Sequence, residues 1–264
     1  MKKVGLALGS GGVRGLAHIG VIKTLLKNNI PIDFIAGCSI GSWVGAHYCL
    51  YRDIKTLEEI TVGKRKEKFF SFIEPSISGG FIKGDKLEKL LNEWLKYANF
   101  EDLKIPLRVV ATDLVKGEEV IFDKGPVAFA VRASMGVPGI FAPVKFEGKV
   151  LVDGGVSDPV PDKIVKKLGA EIIISVNLDN VQNEKPSNEK YSGFQDVALR
   201  SLEIMRQYLA KDSMRDSDFI IQPPLRDYSS WLDYFTKNEG AEIVKIGEKE
   251  AEKIIPELKK KLGL

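Results

Sequence analysis

The sequence Gly-Cys-Ser-Ile-Gly at residues 37–41 is the segment that points most strongly to a chemical function, and Ser39 lies at its centre. The preceding apolar residues predict a strand and the following segment, Trp43 to Leu50, predicts a helix, so Ser39 would occupy a sharp turn between them. Gly37 and Gly41 suit that turn because a Cβ atom on either neighbour would crowd it. The pattern predicts a nucleophilic serine, although a plain turn uses the same residue types.

A second glycine-rich segment, Gly-Ser-Gly-Gly-Val-Arg-Gly at residues 9–15, follows a predicted strand at Val4 to Leu8 and precedes a helical pattern that begins at Leu16. Such a loop directs backbone N–H groups toward one point, where they bind a phosphate or a transient oxyanion. The dinucleotide-binding fingerprint requires glycine at its sixth position, where this segment has Arg14. The segment also lacks the Gly-Lys-Ser/Thr sequence that ends a P-loop. An oxyanion loop beside a nucleophilic serine fits better, and a tight turn without chemistry remains open.

A serine nucleophile needs a base, and histidine is the usual one. His47 follows Ser39 by eight residues on the predicted helix, about 12 Å along its axis, and cannot easily reach the serine. No histidine follows His47, which excludes the serine, acid, histidine order of the α/β-hydrolase triad. His18 lies among apolar residues of the first predicted helix, and we expect it to be structural.

Asp153 is the best candidate base because it closes an apolar strand in the sequence Leu-Val-Asp-Gly-Gly at residues 151–155. Gly154 and Gly155 allow backbone and ligand to approach closely. A free aspartate has a pKa near about 4, so this role predicts a water-poor site that makes the carboxylate more basic. An Asp-Gly turn after a hairpin is the alternative.

Four segments, residues 11–15, 37–41, 132–144 and 153–155, resemble in their order and sequence the patatin-like phospholipase family, in particular its short bacterial members. The resemblance covers the chain from about residue 4 to about residue 160. It implies an α/β protein with a three-layer α/β/α fold and a central, mainly parallel sheet. It also implies an acyl hydrolase with a Ser/Asp dyad, and neither a metal nor a cofactor is expected.

The resemblance assigns a role to each matching position. Ser39 would be the nucleophile and Asp153 its base, while Arg14 would fix the glycine-rich loop or attract an anionic head group. The backbone N–H groups expected to stabilise the oxyanion are those of Gly11, Gly12 and Val13. The glycines expected to support the turns around the dyad are Gly37, Gly41, Gly154 and Gly155.

The prolines and glycines of residues 132–144 predict an irregular loop. We expect this loop to brace the strand that leads to Asp153 rather than to contact the active site directly. Two positions depart from the family pattern: Gly136 stands where alanine is commoner, and Ala142 where proline is commoner. Both are expected to lie away from the dyad and to affect local packing.

Length and composition predict one domain over residues 1–264, because 264 residues with 44% hydrophobic side chains can bury a substantial core. Two cysteines, Cys38 and Cys49, are too few for a disulfide framework and predict a reducing compartment. No apolar run reaches the length of a membrane span, so we expect a cytoplasmic protein, with peripheral membrane contact as an option. The net charge of +3 identifies no anionic partner, and no nucleic acid is expected.

Strand and helix patterns alternate through the rest of the chain. Further strands are predicted at Leu107 to Asp113, Glu119 to Phe122, Lys149 to Val152, Glu171 to Asn177 and Phe219 to Gln222. Further helices are predicted at Val127 to Met135, Phe194 to Asp212 and Gly240 to Leu262. Polar residues 182–191 predict a surface loop.

The predicted function is hydrolysis of fatty-acyl esters of phospholipids, lysophospholipids or related lipids, with the lipid or ester substrate as partner. Residues 64–72 mix basic and aromatic side chains, which suits an anionic lipid surface or an amphipathic helix on the core. The aromatic residues of 228–235 suit a lid over an acyl chain or a core. A non-catalytic lipid-surface or regulatory protein, and a nucleotide-binding protein that uses residues 9–15, are the alternatives. The oligomeric state stays open.

Overall fold

Eight strands in the described part of the chain form one central sheet. The structure is a computed structural model that describes residues 2–62, 82–179, 193–225, 228 and 239–264. The strands are β1 Val4–Leu8, β2 Phe34–Cys38, β3 Leu107–Asp113, β4 Glu118–Phe122, β5 Val144–Phe146, β6 Lys149–Asp153, β7 Ile172–Val176 and β8 Phe219–Ile221. The segments at 64–72 and 182–191, and most of 228–235, lie outside the described residues.

The middle of the sheet is parallel and one side of it is antiparallel. β1 lies between β2 and β7 and pairs with both in parallel, and the β2–β3 and β7–β8 pairs are parallel as well. β4 and β6 pair with β3 in the antiparallel direction, and β5 pairs with β6 in the same way. The predicted α/β fold with a mainly parallel sheet is confirmed.

Helices cover both faces of this sheet. They are α1 Ala17–Lys27, α2 Ile40–Tyr51, α3 Lys55–Thr61, α4 Asp85–Trp94, α5 Val127–Ser134, α6 Asp162–Lys167, α7 Phe194–Ser213, α8 Gly240–Glu252 and α9 Ile255–Leu262. None of the described helices is both long enough and apolar enough to cross a membrane.

Strand alternation divides the core into two apolar clusters, one on each face. Leu6 and Ile35 belong to the larger cluster, which also takes in side chains of α1, α2, α5 and α8. The strand neighbours Ala7 and Ala36 point to the other face and join the smaller cluster, which includes side chains of α6 and α7. The arrangement is therefore three layers, with helices on either side of the sheet.

The C-terminal segment differs from its prediction as one helix over Gly240 to Leu262. The structure divides it into α8 and α9, which are separated at Lys253 and Ile254. Pro256 lies in the first turn of α9, where its missing N–H leaves no hydrogen bond unmade. Inside a continuous helix the same proline would remove one hydrogen bond and clash with the preceding turn, so the single-helix prediction was wrong.

β2 and β6 run toward each other along the same edge of β3. Val110 of β3 pairs with Cys38 of β2 and also with β4, so β2 and β4 occupy opposite edges. Ala111 pairs with β4 on one edge and with Asp153 of β6 on the opposite edge. β6 therefore lies along the same edge of β3 as β2, starting where the pairing with β2 ends. The carboxyl ends of β2 and β6 therefore meet, and this brings Ser39 beside Asp153.

Candidate active site

Ser39 occupies a strained turn between β2 and α2. Its backbone has φ 52° and ψ −124°, a region that a residue with a side chain seldom adopts. A Cβ atom on Gly41 would lie 2.2 Å from the carbonyl oxygen of Leu8, and one on Gly37 would lie 2.5 Å from the Cα atom of Ser42. Only glycine fits at either position, so these two residues let the turn form with the serine at its apex.

Ser39 and Asp153 are joined by a hydrogen bond. Ser39 Oγ donates to Asp153 Oδ2 at 2.6 Å, and the backbone N–H of Gly155 donates to Asp153 Oδ1 at 2.8 Å. Both side chains are buried. Burial raises the pKa of Asp153, although the Ser39 hydrogen bond and the charge of Arg206 act in the opposite direction. The result is a carboxylate that is more basic than a solvated one and already aligned on the serine proton.

Two short hydrogen-bonded segments hold Asp153 in place. Gly154 and Gly155 begin a 3₁₀ helix, Gly154–Val156, directly after the end of β6. The backbone N–H of Asp153 donates to the carbonyl oxygen of Gly136 at 2.9 Å. Gly136 was expected to lie away from the dyad, and that expectation is wrong, because the loop at 132–144 places its carbonyl directly on Asp153.

The glycine-rich loop presents unpaired donors at the carboxyl end of β1. Residues Gly12–Leu16 form a 3₁₀ helix, and Gly12 has a positive φ of 58°. Within the part of the chain that the structure describes, the N–H groups of Gly11, Gly12 and Val13 donate to no acceptor. The first N–H groups of a helix have no partner in that helix and point outward from its N-terminus. These three donors are therefore free to bind an anionic oxygen.

The same loop packs directly against the serine turn. A Cβ atom on Gly15 would lie 2.3 Å from Cγ1 of Ile40, the residue after Ser39. A Cβ atom on Gly155 would lie 3.0 Å from Asp153 Oδ1 and 3.1 Å from the hydroxyl oxygen of Ser10. The glycine-rich loop, the serine turn and the segment after Asp153 thus meet in one place.

Arg14 is buried and points into the protein. Its Nε donates to the carbonyl oxygen of Gly11 at 3.2 Å, and its Nη2 donates to Asp179 Oδ1 at 3.0 Å and to Glu203 Oε1 at 3.1 Å. These bonds fit the first of its two expected roles, which is to fix the loop. Attraction of a head group would need an exposed cation, and Arg14 is only 3% exposed.

The sequence-based reasoning missed Asp179 and Ser134. Asp179 follows β7, the strand next to β1, and accepts hydrogen bonds from Ser10, Arg14 and Arg206. Polar residues just after an apolar parallel strand often lie at the functional edge of the sheet, and that signal was present at Asn177 and Asp179. Ser134 lies at the end of α5 and left no comparable local signal.

Residues 132–144 brace the site and also contact it. Arg132 donates to the carbonyl oxygens of Lys83, Gly84 and Ala142, which ties the loop to the chain before α4. Ser134 Oγ accepts the backbone N–H of Ser39 at 2.8 Å. The expectation of bracing without direct contact was therefore incomplete.

Neither histidine is hydrogen-bonded to Ser39 or Asp153. His18 Nε2 lies 2.8 Å from the carbonyl oxygen of Gly9, which makes it an anchor of the glycine-rich loop. Burial lowers the pKa of His18 and that of His47 to about 4, so both rings are neutral at neutral pH. Among the residues that the structure describes, no three His, Cys, Asp or Glu side chains come together as a metal site.

The sequence matches the family model described as patatin-like phospholipase over residues 6–165. An uncharacterised NTE family protein of Mycobacterium tuberculosis is 37% identical over 178 residues, which are 67% of this chain and 49% of the relative. A lysophospholipase NTE1 of Candida albicans is 28% identical over 98% of this chain and 20% of its own length. The chain therefore spans about half of the mycobacterial relative and about a fifth of the fungal one.

A solved structure has the same fold. The crystal structure of VipD from Legionella pneumophila matches with a TM-score of 0.65, over 97% of this chain and 67% of that one. The sequence identity is 14%, so the likeness concerns the fold alone.

Proposed function

The chain belongs to the patatin-like phospholipase family, and on that premise we propose that it is a serine acyl hydrolase with Ser39 and Asp153 as its catalytic dyad. The observation that carries the proposal is the 2.6 Å hydrogen bond from Ser39 Oγ to Asp153 Oδ2. It joins the strained apex of a strand-to-helix turn to a buried carboxylate of raised pKa. A nucleophile needs a base within hydrogen-bond reach, and this pair meets that condition.

In the acylation step, Ser39 Oγ bonds to the ester carbonyl carbon while its proton passes to Asp153 Oδ2. The carbonyl oxygen becomes an oxyanion, which the N–H groups of Gly11, Gly12 and Val13 stabilise. The bond from carbon to the alcohol oxygen then breaks, and Asp153 gives its proton to that oxygen. The alcohol leaves, and the acyl group stays on Ser39.

Deacylation repeats these steps with water. A water oxygen bonds to the acyl carbon as Asp153 takes its proton, and the same three N–H groups stabilise the second oxyanion. Ser39 Oγ is then expelled and recovers the proton from Asp153. The fatty acid leaves and the dyad returns to its starting state.

The proposed substrates are fatty-acyl esters of lysophospholipids, phospholipids or related lipids. The support is the family itself and fungal relatives that carry the name lysophospholipase. We place the reaction in the cytoplasm, with transient contact at a membrane surface. The two buried free thiols, Cys38 and Cys49, and the basic and aromatic residues at 64–72 support this placement.

Hydrolysis of a panel of lipid and short p-nitrophenyl esters tests the proposal, together with labelling of the serine by a fluorophosphonate. Wild type should hydrolyse esters and become labelled at Ser39, and Ser39→Ala should do neither. Ser201→Ala is the matched control, because Ser201 is an exposed serine of α7 whose hydroxyl donates within its own helix. A folded wild type that neither reacts nor hydrolyses would support the non-catalytic alternative instead.

A further inference from the structure

Asp179 is a buried carboxylate, and each of its two oxygens accepts two hydrogen bonds. Oδ1 accepts from Arg14 Nη2 and from Arg206 Nη2, each at 3.0 Å. Oδ2 accepts from Ser10 Oγ and from Arg206 Nε, each at 3.1 Å. The side chain is 2% exposed. Four donors from three residues, which lie in two segments of the chain, therefore converge on one carboxylate that the proposed chemistry does not use.

Two of these donors belong to the glycine-rich loop. Ser10 and Arg14 lie on either side of Gly11 and Gly12, and both bind Asp179. The third partner, Arg206, lies on α7 and binds both carboxylate oxygens as a fork. Asp179 thus fixes the glycine-rich loop at two points against α7, the helix that packs on the sheet face with the smaller apolar cluster.

The fixed loop has a direct consequence for the proposed oxyanion donors. Arg14 directs its Nε to the carbonyl oxygen of Gly11, and its own backbone N–H donates to the same oxygen at 3.2 Å. In a planar trans peptide the C=O of Gly11 and the N–H of Gly12 point in opposite directions. Holding the Gly11 carbonyl toward Arg14 therefore aims the Gly12 N–H away from it, and this N–H donates to no acceptor among the described residues.

The charge of Asp179 is what keeps this arrangement together. Burial disfavours the anion, yet the charges of Arg206 and Arg14 outweigh it and lower the pKa of Asp179. Apart from Asp179, the described residues give these two guanidinium groups one carboxylate within ion-pair distance, Glu203, which pairs with Arg14. Removal of one member of a buried ion cluster costs a large free energy, because its partners are left without a counter-charge. Asp179 therefore holds both arginines in position.

We propose that Asp179 is a positioning residue for the reaction, which holds Ser10 and Arg14 so that the Gly12 N–H is aimed at the oxyanion. The inference rests on the proposed function of the same site. Asp179 makes no hydrogen bond to the dyad or to the loop donors themselves, and it acts on the loop through both Ser10 and Arg14. Its effect should therefore fall on the rate of bond formation at Ser39 rather than on ground-state binding.

The test is Asp179→Asn, which keeps the size of the side chain and removes its charge. We expect labelling of Ser39 by a fluorophosphonate to slow by about tenfold or more, because loss of one oxyanion donor costs about a hundredfold or more and a misaimed donor costs part of that. The kcat for a short p-nitrophenyl ester should fall by a similar factor while KM changes by less than about threefold. Circular dichroism should remain that of the wild type.

Two further variants keep the result decisive. Ser10→Ala removes one of the four bonds and leaves both arginines paired, and it should slow labelling by about threefold. Asp33→Asn is the matched control, because Asp33 accepts the Val4 N–H and pairs with Lys3 at the amino ends of β1 and β2. This control should leave the labelling rate unchanged.

The outcomes separate the two proposals. A folded Asp179→Asn that is labelled at the wild-type rate overturns the positioning role and leaves the proposed function intact. Should Asp179→Asn fail to fold, Ser10→Ala decides: slower labelling supports the role, and an unchanged rate overturns it. A wild type that is neither labelled nor active contradicts the proposed function itself.

Discussion

Ser134 Oγ accepts the backbone N–H of Ser39 across 95 residues of sequence, at a distance of 2.8 Å. Both residues are buried, and Ser39 has a positive φ of 52°. Ser39 is the N-cap residue of α2, and its N–H has no carbonyl group within that helix to which it could donate. The hydroxyl of Ser134 therefore supplies the acceptor that the strained turn needs, and the proposed nucleophile depends on the end of α5 for its position.

Ser134→Ala should lower kcat by about tenfold with little change in KM. The variant leaves a buried N–H without an acceptor, which costs about 1–3 kcal/mol and favours relaxation of the turn. Steady-state kinetics on a short ester, with a thermal melt of the same sample, measures both effects. Ser175→Ala is the control, because Ser175 is a buried serine of β7 that contacts Ser217. Equal losses of kcat in the two variants would contradict a specific role for Ser134.

Gly41→Ala should destabilise the protein by at least about 2 kcal/mol more than Gly45→Ala. Both glycines lie on α2, but a Cβ atom on Gly41 would lie 2.2 Å from a backbone oxygen of Leu8, which cannot move without disturbing the sheet. A Cβ atom on Gly45 would meet the Cγ2 methyl group of Ile35 at 3.0 Å, and that side chain can adjust. Urea unfolding of the two variants compares them, and equal destabilisation would show that the close approach to β1 does not constrain the turn.

The two residues of the proposed dyad could be predicted from the sequence because their signals are local. Glycines flank Ser39 and follow Asp153 because nearby backbone leaves no room for a Cβ atom. This requirement is visible in a few adjacent residues of the sequence. The head-on meeting of β2 and β6 left no such trace, since strand alternation does not say which edge a strand occupies. Ser134 and Asp179 act on residues far away in sequence, and only the folded chain brings them to the loop and the turn.

The pH dependence of stability should be flatter in His47→Gln than in wild type between about pH 6.5 and pH 4. Burial lowers the pKa of His47 to about 4, whereas an unfolded chain has an ordinary value of about 6.5. The unfolded state then binds the proton first as pH falls, so wild type loses on the order of 3 kcal/mol through this residue across that window.

Urea unfolding of both proteins at pH 7 and at pH 4.5 checks this effect. Asp158, whose pKa burial raises to about 6, contributes in the opposite direction but is present in both proteins, so its effect cancels. Wild type should lose more stability than His47→Gln on acidification. Parallel losses would mean that His47 takes up its proton over the same pH range in the folded and unfolded states, which contradicts a lowered pKa.

The double-mutant comparison of Ser39 and Asp153 tests the dyad most directly. Asp153→Asn keeps the size of the side chain but cannot accept the serine proton, so kcat should fall by about a thousandfold or more. Residues that act as one unit are not additive, so Ser39→Ala with Asp153→Asn should be no slower than Ser39→Ala alone. The measurement is kcat for a short p-nitrophenyl ester in all three variants and wild type, each with a wild-type circular dichroism spectrum. A folded Asp153→Asn that keeps more than about a tenth of wild-type kcat would contradict Asp153 as the base.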